Sequence, residues 1–366
     1  MYTRKEFSLM KRKVGKKIIY YYWVYDEDGR RIYRSTGKKT KSEANAYVLE
    51  LRAKGKLGKL DKKSITLKEF TKDMFIPGKC PIEREAIARG KSIGKQTMIN
   101  RRTVLTRYIL PAFGKNTITS ITPSKINNWL VSLPEKAGIS RSTANNYKGT
   151  LDAILKYAVK QEIISKNPCR EVEPLGSSST RTEAFSLAEV KAIIGKEEDW
   201  KNPLVRLMCI TSAMTGMRLG EVLALKMENI HKNYIEVKYS YNKADGLKSP
   251  KSGYTRMVPI PKELYKMLCD ASLQDHLFIF SYDGKIVFSP NMVREELQLR
   301  CKELGIENKT FHSFRAFFNS QMVTANINES IIRNMIGHTS EKMTEHYLHL
   351  ESTDSSMINE IQTQIL

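Results

Sequence analysis

The sequence is poor in the features that mark a secreted, membrane-bound or metal-dependent chain. Its five cysteines, Cys80, Cys169, Cys209, Cys269 and Cys301, are odd in number and scattered. This excludes a disulfide framework and any paired metal-ligand spacing, and they read as reduced thiols buried singly. No apolar run approaches the roughly 18 residues that suggest a membrane span. The opening MYTRKEFSLMKRK lacks the apolar core of a secretory signal, so the expected location is the cytoplasm, with no membrane partner. No phosphate-binding glycine loop, carboxylate cluster, internal repeat or low-complexity tract is present. The DEDG run at 26 to 29 lacks the later oxygen ligands and glutamate of a calcium loop and reads as a turn. Above all, negative charge is scarce: 39 Asp and Glu stand against 61 Lys and Arg, which leaves +22 and a pI near 9.6. Such a field attracts a polyanion, and nucleic acid is the first candidate.

With 366 residues and 41% hydrophobic content, the chain is long enough for two or three folded domains. The charge is uneven. Residues 1–63 hold 19 Lys and Arg against 7 Asp and Glu, a net +12 of the total. Within this stretch Lys17 to Tyr25 (KIIYYYWVY) and Arg30 to Ser35 read as a β-hairpin. A helix should follow from Ser42 to about Ala53, with Ala44, Val48 and Leu51 on one face. Basic residues interleaved with aromatic rings point to DNA contact by Lys16, Lys17, Tyr20, Tyr22, Arg30, Arg31, Arg34, Lys38 and Lys39.

A second segment, residues 64–175, opens at Thr66 with the capping box TLKE and reads as all-helical. Helices are expected around Gln96 to Tyr108, from Thr122 with Pro123 in the first turn, and from Ser142 to Ile163. In the last, Ala144, Tyr147, Leu151, Ile154, Leu155 and Ala158 form an apolar stripe that belongs to the core. The opposite surfaces carry Lys95, Arg101, Arg102, Arg107, Arg141 and Lys148, candidates for further DNA contact. Residues 176–182, GSSSTRT from Gly176 on, read as a linker. The third segment, residues 183–366, begins with the capping box SLAE at Ser186 to Glu189. It is mostly helical, with strands at Tyr234 to Tyr241 and Tyr254 to Ile260 around a Lys, Gly and Pro-rich turn.

Four stretches of this third segment carry chemistry: TGMRLGE (215–221), PKSGYTRMVPI (250–260), HSFR (312–315) and GHTSEKMTEHYLH (337–349). Arg218 lies in an otherwise apolar stretch, where a charge needs a strong anionic partner, and Glu221 stands at i,i+3. Alone, that is a structural pair. His312 and Arg315 share a helical face while Phe311, Phe314 and Phe318 point to the core, and alone they are a surface pair. Tyr347 by itself is a packing residue. A zinc site from His338, His346 and His349 lacks a partner carboxylate motif and is set aside.

Together, however, an arginine, a hairpin lysine, HxxR, then GH with a tyrosine nine residues on resemble the tyrosine recombinase family of phage-type and conjugative-transposon-type integrases. The resemblance implies a mainly α chain with small β-sheets (α+β). Its parts would be an N-terminal sheet-plus-helix arm-binding domain, a helical SAM-like core-binding domain and a mixed α/β catalytic domain. It implies Arg218, Lys251, His312, Arg315, His338 and Tyr347 as catalytic residues, Glu221 as a brace, and no cofactor or metal. Lys248 is an alternative to Lys251, which the spacing to Pro259 favours.

In that chemistry Arg218 and Arg315 stabilise charge on the phosphoryl oxygens, and His312 accepts the proton of Tyr347. Lys251 protonates the leaving 5′ hydroxyl, and His338 bonds the phosphate. The expected partners are double-stranded DNA at attachment sites, further copies of the chain in a tetramer, and accessory DNA-bending or excision factors. The tail STDSSMINEIQTQIL, with Met357, Ile358, Ile361 and Ile365, should form a short amphipathic helix, packed on its own domain or, as the resemblance implies, docked on a neighbouring subunit. A type IB topoisomerase and a catalytically silent DNA-binding regulator are the competing readings.

Overall fold

The computed structural model describes residues 6–14, 17–25, 31–53, 57, 65–176, 183–249, 255–272, 276–285, 287–307, 309–337 and 352–366. The chain divides into two compact units, Met1–Ser177 and Ser178–Leu366.

The first unit holds two separate hydrophobic clusters. The smaller lies under a three-stranded antiparallel sheet of β1 (Ser8–Val14), β2 (Lys17–Tyr25) and β3 (Arg31–Ser35), covered by helix α1 (Lys41–Ala53). Tyr22 and Val24 on β2 pack with Val48 of α1, because alternate residues of a strand face one side. The β2–β3 pairing and α1 agree with the sequence reading. The turn expected at residues 26–29 lies outside the described residues, and β1 is an addition. Its KRK run hid a charged edge strand, the composition by which exposed edges resist further pairing.

The larger cluster is all-helical: α2 (Leu67–Phe70), α3 (Pro81–Ala88), α4 (Lys95–Val104), α5 (Leu110–Phe113), α6 (Pro123–Ala137) and α7 (Arg141–Lys160). Thr66 and Glu69 form the expected capping box, and Thr122 and Ser140 cap α6 and α7. Between α4 and α5 the helix widens into a π turn, Leu105–Ile109, because Pro111 has no N–H to give the carbonyl four residues back. The α7 stripe is buried as its period dictates, with Tyr147 at its margin.

The second unit is built around α9 (Pro203–Thr215), which is buried on nearly every side. Each large apolar side chain it buries contributes about 1.5–3 kcal/mol. Around it lie α8 (Leu187–Ile194), α10 (Leu219–Leu223), α11 (Lys262–Ala271), α12 (Pro290–Glu303), α13 (Phe311–Thr324), α14 (Glu329–Ile336) and α15 (Ser352–Thr363). The expected strands are shorter and divided. β4 (Ile230–His231), β5 (Tyr234–Val237) and β8 (Arg256–Pro259) form one antiparallel sheet, and β6 (Ser240–Asn242) with β7 (Gly246–Lys248) a separate ribbon. The tail helix α15 packs on its own unit. Ile358 and Ile365 join the core, and the buried Gln362 amide donates to the carbonyls of Met214 (2.7 Å) and Pro259 (2.9 Å).

Candidate active site

The site begins where α9 stops. Gly216 takes the left-handed conformation (φ +64°) that ends the helix, and a Cβ there would lie 2.6 Å from the Phe318 ring of α13. Glycine thus reverses the chain and lets α13 approach. Two residues on, Arg218 caps α10, and its backbone N–H donates to Glu221 Oε2 at 3.0 Å.

Glu221 is 1% exposed and accepts four hydrogen bonds. Besides that backbone bond, Arg218 Nη1 reaches Oε1 at 3.0 Å. Arg256 of β8 grips both oxygens as a fork, Nη1 to Oε1 at 3.1 Å and Nη2 to Oε2 at 2.6 Å. Burial alone would push the Glu221 carboxyl up. The Arg256 charge and hydrogen bonds, with those of Arg218, outweigh it and hold the group below its ordinary value.

Arg315 on α13 is 4% exposed and bridges two helix ends. Its Nη1 donates to the Gly216 carbonyl at 2.8 Å and its Nη2 to the Ile336 carbonyl in the last turn of α14. Arg256 Nε donates to the adjacent Met335 carbonyl at 2.8 Å. Helix C-termini leave such carbonyls unpaired and carry partial negative charge, so guanidinium groups belong there. Burial, then the Arg218 charge, lowers the Arg315 pKa to about 9, with Glu221 opposing and Arg256 adding to the fall. It remains a cation at neutral pH.

Two guanidinium groups therefore bond one carboxylate and a third, Arg315, is held beside them by helix-end carbonyls, leaving a local excess of two positive charges in a largely desolvated setting. Such an excess of fixed charge favours an anion. Arg218, 27% exposed, reaches solvent. His312 stands exposed one helical turn before Arg315, at the rim of a cleft of about 390 Å³ that Arg315, Asn319 and Arg333 also line. Burial of part of the ring, then the charges of Arg315 and Arg218, lowers the His312 pKa, so the imidazole is neutral near pH 7 and has a nitrogen able to accept a proton.

Of the seven residues expected here, the structure thus brings together Arg218, Glu221, His312 and Arg315. Lys251, His338 and Tyr347 lie outside the described residues. Lys248, the alternative lysine, is exposed at the end of β7 and paired with Asp245 at 3.0 Å. Arg256 was missed, although its signal was present. Arg256, Val258 and Ile260 alternate inward around the exposed Met257, so the strand period places this arginine on the core side.

The expected DNA-contact residues divide. Lys16 and Arg30 lie outside the described residues, and Lys17 begins β2. Tyr22 is corrected: at 3% exposure it is a core residue, because even-numbered positions of β2 face α1. Tyr20 is half-buried, and Arg34 is half-buried with a bond to the Tyr33 carbonyl. The other face of the sheet presents Tyr21, Trp23 and Tyr25, with Arg31 stacked 4.5 Å from the Trp23 ring and Arg12 5.7 Å from Tyr21. Lys38 and Lys39 are exposed nearby in sequence. In the helical cluster Lys95, Arg107 and Arg141 are exposed, and Arg101 stacks on Phe75. Arg102 instead bonds the carbonyls of Thr71, Lys72 and Met74, and Lys148 that of Val172, so both hold local structure.

Among the described residues no group of three or more His, Cys, Asp or Glu converges as a metal site, and no helix is long and apolar enough to cross a membrane.

Residues 185–353 match the phage integrase family and residues 82–174 the phage integrase central domain. The chain is 27% identical to the ICEBs1 integrase of Bacillus subtilis (strain 168) over 275 residues, 69% of this chain and 73% of that protein. Its fold is similar to the Tn1549 transposon integrase in complex with a circular intermediate DNA (TM-score 0.61, 19% identity, 75% of this chain and 96% of that one). It is also similar to lambda integrase as a tetramer bound to a Holliday junction (TM-score 0.60, 17% identity, 91% and 98%). Clustered arginines beside a neutral histidine stand in this fold and in these two sequence matches, and the chain belongs to the tyrosine recombinases, the phage-integrase type of site-specific recombination enzyme.

Proposed function

We propose that this recombinase cleaves and rejoins DNA at attachment sites with Tyr347 as nucleophile, passing through a 3′-phosphotyrosine and a Holliday junction to integrate or excise a mobile element. The observation that carries the reading is the Arg218–Glu221–Arg256–Arg315 cluster, buried except at Arg218, with a neutral His312 at its edge.

A phosphodiester gains negative charge on its oxygens as it is attacked, and cations fixed in a low-dielectric setting stabilise that charge without reorganising. Arg218 and Arg315 serve this role. Tyrosine has an ordinary pKa of about 10 and must lose its proton as it attacks; His312, held neutral, accepts it. Lys251 donates a proton to the departing 5′ hydroxyl, and His338 bonds the phosphate. The tyrosyl ester keeps the energy of the broken bond, so a second strand's 5′ hydroxyl reverses the step on another partner.

The aromatic and arginine face of the N-terminal sheet binds arm sites, and the exposed basic residues of the helical cluster bind beside the cut. Lambda integrase, a tetramer on a Holliday junction, supports the same assembly for this chain. Accessory DNA-bending or excision factors would set direction.

The test uses a nicked attachment-site DNA that traps the covalent complex. The wild-type chain should form a denaturant-resistant adduct and Tyr347→Phe none; an adduct in the variant removes Tyr347 from its role. Relaxation of supercoils without strand exchange would favour topoisomerase action, and DNA binding without any adduct a silent regulator.

A further inference from the structure

Arg256 joins three elements on which the reaction depends. It lies on β8, soon after Lys248 and Lys251 in the sequence, and is 5% exposed, so it does not meet DNA. Its two terminal nitrogens hold the same carboxylate that orients Arg218, and Glu221 Oε1 is shared between Arg218 Nη1 at 3.0 Å and Arg256 Nη1 at 3.1 Å. Its third donor fixes Met335, next to the Ile336 carbonyl that Arg315 takes. Gly337 closes α14 so near that a Cβ would lie 3.2 Å from Arg256 Nη1. The residues that follow Gly337 in the sequence carry His338 and Tyr347.

We infer that Arg256 is a positioning residue for strand cleavage: it neutralises Glu221 so that Arg218 is aimed at the phosphate and not drawn inward, and it anchors the helix end that leads to the nucleophile. The inference rests on the roles proposed for Arg218 and Tyr347. Without Arg256 the Glu221 carboxylate keeps Arg218 as its one charged hydrogen-bonding partner among the contacts described, and competes with the phosphate for it. A fork is needed because a lysine delivers one point charge and cannot span both carboxylate oxygens and a carbonyl.

The alternative is a buried ion pair that only stabilises the fold. A double-variant cycle on the full chain separates the two, read as the single-turnover rate of covalent adduct formation at saturating nicked DNA, with folded fraction and DNA affinity measured separately. Arg256→Met should slow adduct formation about 100-fold with DNA affinity kept, the range for losing one transition-state contact. The double variant Arg218→Met, Arg256→Met should be no slower than Arg218→Met alone, because residues acting as one unit are not additive. Arg256→Lys carries the same cycle with the charge retained, and should restore folding and not rate. Multiplicative losses in the double variant, a rate loss that only follows the folded fraction, or full activity in Arg256→Lys would overturn the inference. A wild-type chain that forms no Tyr347-dependent adduct would instead sink the functional reading and this inference with it.

Discussion

Two regions of this molecule are rich in arginine, and they use it in opposite ways. On the outer face of the N-terminal sheet, Arg12 and Arg31 lie over aromatic rings in open solvent. In the second unit, Arg256 and Arg315 are nearly sealed and bonded to a carboxylate and to helix ends, with Arg218 at the opening. Exposed charges exchange counterions with a polyanion and give affinity that salt erodes. Sealed charges are scarcely screened, hold fixed directions and act on a barrier height. A net charge of +22 conceals this division. It identifies the class of partner and not which cations do chemistry.

The largest expected effect tests the sealed region. Glu221→Gln leaves buried guanidinium groups without their counter-charge and should cost about 3–5 kcal/mol of stability, read as a fall in the urea midpoint of the second unit. The sign with pH is fixed. A carboxyl depressed in the folded state contributes stability above its ordinary value of 4.5, lost as pH falls through the folded value. The variant should lack that acid component of wild-type unfolding, and an identical acid profile would mean that Glu221 is not held ionised.

Arg315→Lys comes next. It loses the bridge between α9 and α14 and should lower adduct formation by about 10²–10³ while DNA affinity is kept. A loss that appears in affinity alone would erase the distinction between the regions. In the arm, Arg31→Ala should weaken DNA binding and reduce the salt slope by about 1 while the cleavage rate at saturating DNA stays the same. Tyr22→Ala should act through arm stability, and an unchanged melting curve with weakened binding would return Tyr22 to the contact surface. The smallest effect is on pH. The acid limb of adduct formation should lie below the ordinary imidazole value of 6.5, because burial, Arg315 and Arg218 all disfavour the imidazolium. Arg218→Met should move the limb toward higher pH, and an unmoved limb would assign it to another group.

Much of this was legible in the sequence where a local rule and a long-range one agree. The capping boxes at Thr66 and Ser186 formed as their spacing dictates, and so did the α7 stripe and the Arg218–Glu221 pair. What was not legible depended on register or on distant partners. Tyr22 was misassigned because composition does not say which way a strand's alternate residues face. Arg102 and Lys148 looked like surface cations because the carbonyls they bond are 24 to 31 residues away in the chain. Arg256 was hidden by the same distance, 35 residues from Glu221, although its inward register could have been read.

The Gln362 amide has a consequence for the tail. The carbonyls of Met214 and Pro259 that it satisfies lie among apolar side chains, and leaving each unpaired costs roughly 1–3 kcal/mol. Helix α15 is therefore poorly suited to simple release. A state in which it departs must supply those two carbonyls with another donor, from water or from protein. The amide works as a pin that fastens the tail helix to the last turn of α9 and the last residue of β8.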